Sequence, residues 1–511
     1  MIRPVRTLCL RLLFVALLII PSFVHAQTGT PQQLDNRIIQ QIHTISSHHI
    51  YDYVNELCDP KYAGRLTGTP EYKQCGEWAA SLFQRWGIKP AGDNGTYFQN
   101  FPNPYTLVFP GCEVVMLIKT DSAEYKKSYR YFSEFIPGAT SASGTITTEV
   151  VYVGYGITAP ELGFDEYKDV DVRGKIVLME PEAPVAPSAQ NKDVFMKWRP
   201  YSFHQYKHEN AVKHGARGML YNYGPICNPN NAYHPDFIYS HIGTAVVEDV
   251  FAGTEKTHRD VTAAIRNTLK PQSFATGKTF TITNKTEHRP DGIGYNLIGI
   301  IEGSDPVLKN EVIILGGHLD HLGKCYDIFP GANDNASADA IILEVANKLV
   351  HSPIKPRRTV MFNLFGAEEQ AVAGSEYYLK HPVYPLDKTV CLLNMDMVGT
   401  GERLSATAGG NYPSLWAFIE KNNAQFVHRQ LSTSSTENLG RPRTDAARFL
   451  WENVPTLSFA SGGGGGSYHT PDDTPDKLNP ELMEDLARIL FLAILDIANQ
   501  ETADFRKDVK K

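Results

Sequence analysis

A chain of 511 residues is more than one hydrophobic core supports, so two or more domains are expected. Its composition, 42% hydrophobic and 21% charged, is ordinary for a globular protein. A net charge of −7, with no basic run beyond short clusters such as Pro356-Arg357-Arg358, makes nucleic acid and anionic lipid poor partners.

The first 26 residues read as a leader. Arg3, Arg6 and Arg11 precede the apolar stretch Leu12 to Phe23, and Val24-His25-Ala26 resembles a signal-peptidase site. The stretch is too short for a membrane span and contains Pro21. The expectation is an exported protein, periplasmic or secreted, with no stable membrane insertion once the leader is removed. Losing its three arginines takes the net charge from −7 to about −10. Six cysteines then remain: Cys58, Cys75, Cys112, Cys227, Cys325 and Cys391. An oxidising compartment can pair them, the sequence does not choose how, and Cys391, inside an apolar run, reads as a buried thiol.

Residues 27–110 form the first part of a peptide-chain fold that resumes later. Gln32 to Leu57 reads as one helix, with Leu34, Ile38, Ile39, Ile42, Ile45 and Ile50 at helical spacing. A turn, Gly64 to Pro70, leads into a helix from Glu71 to Trp86 capped by Gly87. Over 111–285 the texture changes to short strand-like runs, such as Thr148 to Val153 and Lys175 to Met179, with dense prolines and one helix near Tyr206 to His214. This reads as a separate β-rich domain inserted into the first. Over 286–511 strands and helices alternate. Val312–Leu315, Val360–Phe365, Val390–Asn394 and Thr456–Ala460 are the strands; Ser337–Leu349, Gly374–His381 and Glu481–Asn499 are helices. Such alternation predicts an α/β fold with a mainly parallel mixed sheet covered by helices.

In an open sheet of this kind, ligands gather beyond the carboxyl ends of the strands. His318, the Glu368-Glu369 pair, Asp396 and His469 each follow one of those strands, and Asp334 precedes the helix after the first. Singly each has an ordinary structural role: Asp334 could be an N-cap, and a Glu-Glu pair is usually solvated. Together, two histidines and three carboxylates are the donors that hold two zinc ions with one carboxylate shared, and Glu368 beside them is placed to act as proton acceptor.

Gly317-His318-Leu319-Asp320-His321-Leu322-Gly323, Ala332-Asn333-Asp334-Asn335-Ala336-Ser337, Gly366-Ala367-Glu368-Glu369, Asn394-Met395-Asp396-Met397-Val398-Gly399 and Tyr468-His469-Thr470 resemble metallopeptidase family 28, the co-catalytic zinc aminopeptidases and glutamate carboxypeptidases. The middle segment resembles a protease-associated domain through Gly174 to Met179 and Ala211 to Ala216. The resemblance implies the zinc exopeptidase fold, peptide substrates and two Zn²⁺ per chain, with Co²⁺ or Mn²⁺ as substitutes. It implies that Asp334 bridges the ions, that His318 and Asp396 complete one site and Glu369 and His469 the other, and that Glu368 deprotonates a water shared by the two ions. It further implies that the Asp320 carboxylate fixes the His318 tautomer, that Tyr468 stabilises an oxyanion, and that Asp334–Asn335 is a candidate cis bond. The family cleaves at peptide ends; release of N-terminal residues is the favoured activity. A carboxypeptidase or dipeptidase, a glutaminyl cyclase-like enzyme and a metal-free receptor-like binding protein stay open. Arg441, Arg443 and Asp445 lie where the family builds part of its pocket, and the inserted domain is expected to shade the cleft.

Overall fold

Three strands, Val312–His318, Thr359–Phe365 and Thr389–Met395, are buried at every residue, as continuous apolar runs are when helices cover both faces of a sheet. In this computed structural model the described residues are 36–120, 123–186, 188, 191–230, 232–435, 444–463 and 466–509. The three strands and Thr456–Gly462 run parallel at the centre of a nine-stranded sheet. Ile293–Ile301 flanks them antiparallel on one side and Arg403–Thr407 on the other.

One face of the sheet packs on Ser337–Val350, Pro480–Ala498 and Pro70–Trp86, whose Phe83 meets Phe362, with Ser47–Leu57 against the first two, in a core that includes Ile342, Val345, Leu486 and Ile489. The other packs on Ala373–Lys380 and Asp445–Trp451 through Tyr378 and Phe449. The ends of the long helices are set by sequence. The Asn479 side chain accepts the Leu482 N–H, with Pro480 at the first position, and Gly87 closes Pro70–Trp86 at φ 78°, where glycine is unstrained.

The single helix expected over Gln32–Leu57 is two, Asn36–Ile42 and Ser47–Leu57, with residues 32–35 outside the described range. The break is local competition for hydrogen bonds. The Thr44 hydroxyl takes the Gln41 carbonyl, and the Ser46 N–H turns to the buried Glu344 carboxylate at 3.2 Å.

Between Phe98–Pro102 and Ile293–Ile301, which are paired neighbours in the main sheet, the chain builds a second sheet of eight strands drawn entirely from residues 113–284. It has its own apolar clusters, one around Val150, Leu178, Leu220 and Phe280 and one around Val177, Met219 and Tyr239. This unit carries more helix than the turn-rich sequence suggested: Lys192–Trp198, Thr244–Phe251 and His258–Thr268 join His204–Lys213. Val246, Val247 and Val250, residues that favour strands, are buried on one of them, so packing overrides propensity there. A smaller cluster, including Val108, Ile136, Cys227, Leu322 and Phe329, joins the unit to the main sheet. All six described cysteines are free thiols, and Cys391 is buried. No described helix is long and apolar enough to cross a membrane.

Candidate metal centre

His318 is the last residue of its strand, Glu368 and Glu369 follow Thr359–Phe365, Asp396 follows Thr389–Met395, and His469 lies beyond the loop after Thr456–Gly462. Because the strands are parallel, these residues converge at one edge. Asp334 stands in the turn Ala332–Ala336 and does not cap the following helix, whose N-terminus has no side-chain cap. Its carboxylate faces both histidines: Oδ1 is 3.3 Å from His318 Nε2 and Oδ2 is 3.4 Å from His469 Nε2. His318 Nε2 is also 3.8 Å from Asp396 Oδ1, and His469 Nε2 is 3.1 Å from Glu369 Oε2. The Asp334–Asn335 peptide bond is cis.

These separations fit a shared cation better than direct hydrogen bonds. A charge-assisted N–H···O bond closes to about 2.8 Å. Two donors each about 2.1 Å from one tetrahedral ion stand roughly 3.4 Å apart. His318 Nε2 is buried with no hydrogen-bond partner, and His318, Asp334 and Asp396 are close enough to hold an ion. A second such set is His321, Asp334 and Glu369. The donor chemistry, imidazole plus carboxylate, therefore suits zinc or a similar divalent ion.

Four of these groups, His318, Asp334, Glu369 and His469, are at most 6% exposed. Burial opposes the charged form of each, and their mutual attraction overcomes it. Burial pulls His318 down, but Asp334 and Asp396 hold it well above the ordinary histidine range. His469 is likewise lowered by burial and lifted to about 10 by Glu369 and Asp334. Burial raises Asp334 and Glu369, but the histidines bring Asp334 far below the usual carboxylate range and Glu369 to about 2. Glu368 goes the other way: burial and the neighbouring Asp396 and Glu369 push it well up, against the pull of His318. A carboxyl poised to carry a proton thus adjoins four groups that hold their charges.

The supporting groups come from several segments. Asp320 departs from its expected contact. His318 Nδ1 donates to the Asp320 backbone carbonyl at 3.1 Å, while the Asp320 carboxylate is 3.8 Å from that nitrogen and accepts the N–H groups of Glu368 and Glu369. The carboxylate therefore sets the Glu368-Glu369 turn. Three further groups escaped the sequence reading. His321 Nδ1 contacts Glu369 Oε1 at 2.9 Å. Asp473 accepts the N–H groups of Asn333 and Asp334. Arg65, wholly buried, donates to the carbonyls of Leu57, Leu319, Pro330 and Gly331, tying the His318 and Asp334 loops together. His321 and Asp473 sit within or just beyond the motifs already singled out; Arg65 had only its turn, Gly64 to Pro70, as a signal.

A cavity of about 400 Å³ opens onto Glu368, Glu369, Tyr468 and His469. Ala371, Val372, Glu376, Arg448 and Trp451 form one wall, and Phe203, His204, Gln205, Tyr223, Asn228 and Asn230 of the 113–284 unit form the other. The Tyr468 ring stacks on His469, centroids 3.7 Å apart, and lies at the cavity. Asp445 is buried beside the centre, raised to about 6 by burial; Arg441 and Arg443 lie outside the described residues.

Residues 296–494 match the model of Peptidase family M28. The chain is 25% identical over 387 residues to Aminopeptidase YwaD of Bacillus subtilis, covering 73% of this chain and 72% of that protein. Among solved structures, the aminopeptidase from Aneurinibacillus sp. strain AM-1 superposes with a TM-score of 0.62 at 20% identity, over 92% of this chain and 98% of that one. A zinc aminopeptidase from Bacillus subtilis gives 0.57 at 17% identity, over 91% and 99%. The family match lies across the strands and most of the side chains that build the centre, so residues 296–494 are a peptidase family M28 unit and the protein is a metallopeptidase.

Proposed function

We propose that the protein is an exported aminopeptidase that binds two zinc ions and releases N-terminal residues from short peptides. One observation carries the reading: the two oxygens of Asp334 face two different buried histidines, each with a second carboxylate, Asp396 or Glu369, in reach. His318, Asp334 and Asp396 would hold one ion, and Asp334, Glu369 and His469 the other. His469 is preferred to His321 as the ligand because its Nε2 addresses two carboxylates at once, whereas the His321 ring is engaged by Glu369 alone.

When bound, a pair of divalent cations supplies a Lewis acid for the scissile carbonyl and brings a water's pKa towards neutrality. Glu368 faces the cavity, and its raised proton affinity suits it to take the water's proton and pass it to the departing amine. The Tyr468 phenol, stacked on His469, is placed to donate to the developing oxyanion. A free α-amine suits this cavity better than a carboxylate. Among the described residues the one lining arginine, Arg448, is already engaged by Glu376 at 2.6 Å, and the Glu376 carboxylate adds negative charge to the same lining. The related proteins named above are aminopeptidases, which agrees. The β-rich unit, read as a protease-associated domain over 111–285, would limit substrate length by walling the cavity. Export rests on the leader expected over 1–26, which lies outside the described residues.

The test is a panel of aminoacyl, N-blocked and C-amidated dipeptides offered to the purified mature chain, with metal analysis. The expected result is about two zinc ions per chain, cleavage of free-amine substrates including amidated ones, and none of N-blocked ones. Cleavage of N-blocked peptides with a free carboxylate would overturn the polarity. A chain that binds no metal would overturn the whole reading. N-terminal sequencing of protein from the periplasm or medium tests export, and a start other than residue 27 would reject the leader boundary.

A further inference from the structure

The ring of His469 is aimed from outside the main sheet. Its Nδ1 donates to the Cys227 carbonyl at 2.8 Å, and the Cys227 N–H returns a bond to the His469 carbonyl at 3.2 Å. A ring nitrogen facing a carbonyl must carry a proton, so when the ring gives up its second proton, as a metal requires, it is Nε2 that is freed towards Asp334 and Glu369. Cys227 belongs to the 113–284 unit, in the loop between strands Gly218–Tyr221 and Ile238–Ile242.

That loop is held in place. His241 Nδ1 donates to the carbonyl of Ile226, the residue beside Cys227, at 2.8 Å, and the Gly224 N–H donates to Ile242. The His241 ring is 1% exposed and wedged edge-on against Tyr221 and Tyr223, so it has little freedom to release the carbonyl. Beyond Cys227, the Asn230 N–H is taken by the Asn228 side chain, and Asn228 and Asn230 line the cavity that reaches Glu368.

We propose that the 113–284 unit completes the metal centre: the Cys227 carbonyl fixes the tautomer and direction of His469, and His241 is the positioning residue that keeps that carbonyl in place. The proposal rests on the metal reading above and extends it. The second unit is then more than a wall over the cleft, and the ion shared by Glu369 and His469 is held only as well as the two units are docked.

The experiment is zinc titration of the full-length apo protein against a competing chelator, with cobalt absorption spectra as an independent view of ligand geometry. His241→Gln and His241→Asn are compared with the unaltered chain. The asparagine amide sits where Nδ1 does and still reaches Ile226; the glutamine amide sits near Nε2 and does not. The expected result is one of two binding steps weakened about 10–100-fold in His241→Gln, the range for loss of an outer-shell partner, with the other step and the melting temperature unchanged. His241→Asn should restore most of that affinity and the cobalt spectrum. Equal affinities in all three proteins would overturn the proposal. So would a glutamine variant in which both steps and the melting temperature fall together, the mark of general destabilisation. If the unaltered chain binds no zinc, the metal reading itself fails, a result distinct from either.

Discussion

His318 and His469, at the carboxyl edge of the main sheet, are 2% and 3% exposed; His208 and His241, in the second sheet unit, are 1% each. Burial is thus the same, but the electrostatics are opposite. The first pair face carboxylates and are lifted above the ordinary histidine range, His469 to about 10. The second pair are packed among rings. His208 lies against Phe237 and Tyr239, and burial, with His234 and His241 nearby, takes it down to about 3; His241 falls to about 4. In this protein the buried histidines that face carboxylates are the ones with raised proton affinity, and they mark the candidate centre. Those among aromatics are held neutral, and counting buried histidines would not have separated the two regions.

The sharpest way to break this contrast is to remove the carboxylate that both site histidines share. Asp334→Ala should abolish binding of both ions and reduce turnover to background, and metal analysis of the purified variant checks it. Retention of one tightly held ion would show that the two histidines do not depend on a common group. Glu368→Gln comes next. It should keep both ions while kcat falls about 10³-fold, within the range for loss of a general base. Metal loss in that variant would move Glu368 from proton carrier to ligand.

His321 is the intermediate case, a buried histidine with one carboxylate partner. His321→Ala should weaken metal binding about 10–100-fold if the ring only orients Glu369. Loss of an ion outright, as in His469→Ala, would make His321 the ligand and His469 the orienting group. Chelator competition on the two variants separates these.

How much of this was legible in the sequence follows the same divide. Three of the four central strands were readable because strands covered on both faces must be continuous apolar runs, and His318, Glu368, Glu369 and Asp396 because they adjoin such runs; Asp334 was marked by the helix after it and His469 by the glycine loop before it. What could not be read are groups that act over long stretches of chain. Arg65 reaches Leu319 across 254 positions, and nothing in its own turn says that its guanidinium will gather four carbonyls. The Cys227 carbonyl lies 242 positions from His469 and is a backbone atom, which any residue would supply. The family resemblance points to the Asp320 carboxylate for His318, yet the backbone carbonyl of the same residue is the nearer partner, a distinction that depends on local chain direction. The helix break at His43–Ser46 depended on Glu344, a partner equally remote.

The mildest expected effect tests the neutral half of the contrast. His208 titrates at about 3 when folded and near 6.5 when unfolded, so the unfolded chain binds the extra proton between those values. Stability at this residue is therefore full above pH 6.5 and falls as pH drops towards 3, by about 1.4 kcal/mol per pH unit. His208→Phe removes that proton. Neither ring nitrogen of His208 has a hydrogen-bond partner among the described residues, so a phenyl ring against Phe237 and Tyr239 gives up no bond. The melting temperature of the variant at pH 7.5 should match or exceed that of the unaltered chain, its decline from pH 6.5 to 4.5 should be shallower, and kcat should not change. His241, lowered by burial and partly supported by its bond to Ile226, keeps some acid sensitivity in the variant, so the slope should lessen rather than vanish. An unchanged acid slope would mean that His208 is already charged in the folded protein, and the two classes of buried histidine would then merge into one.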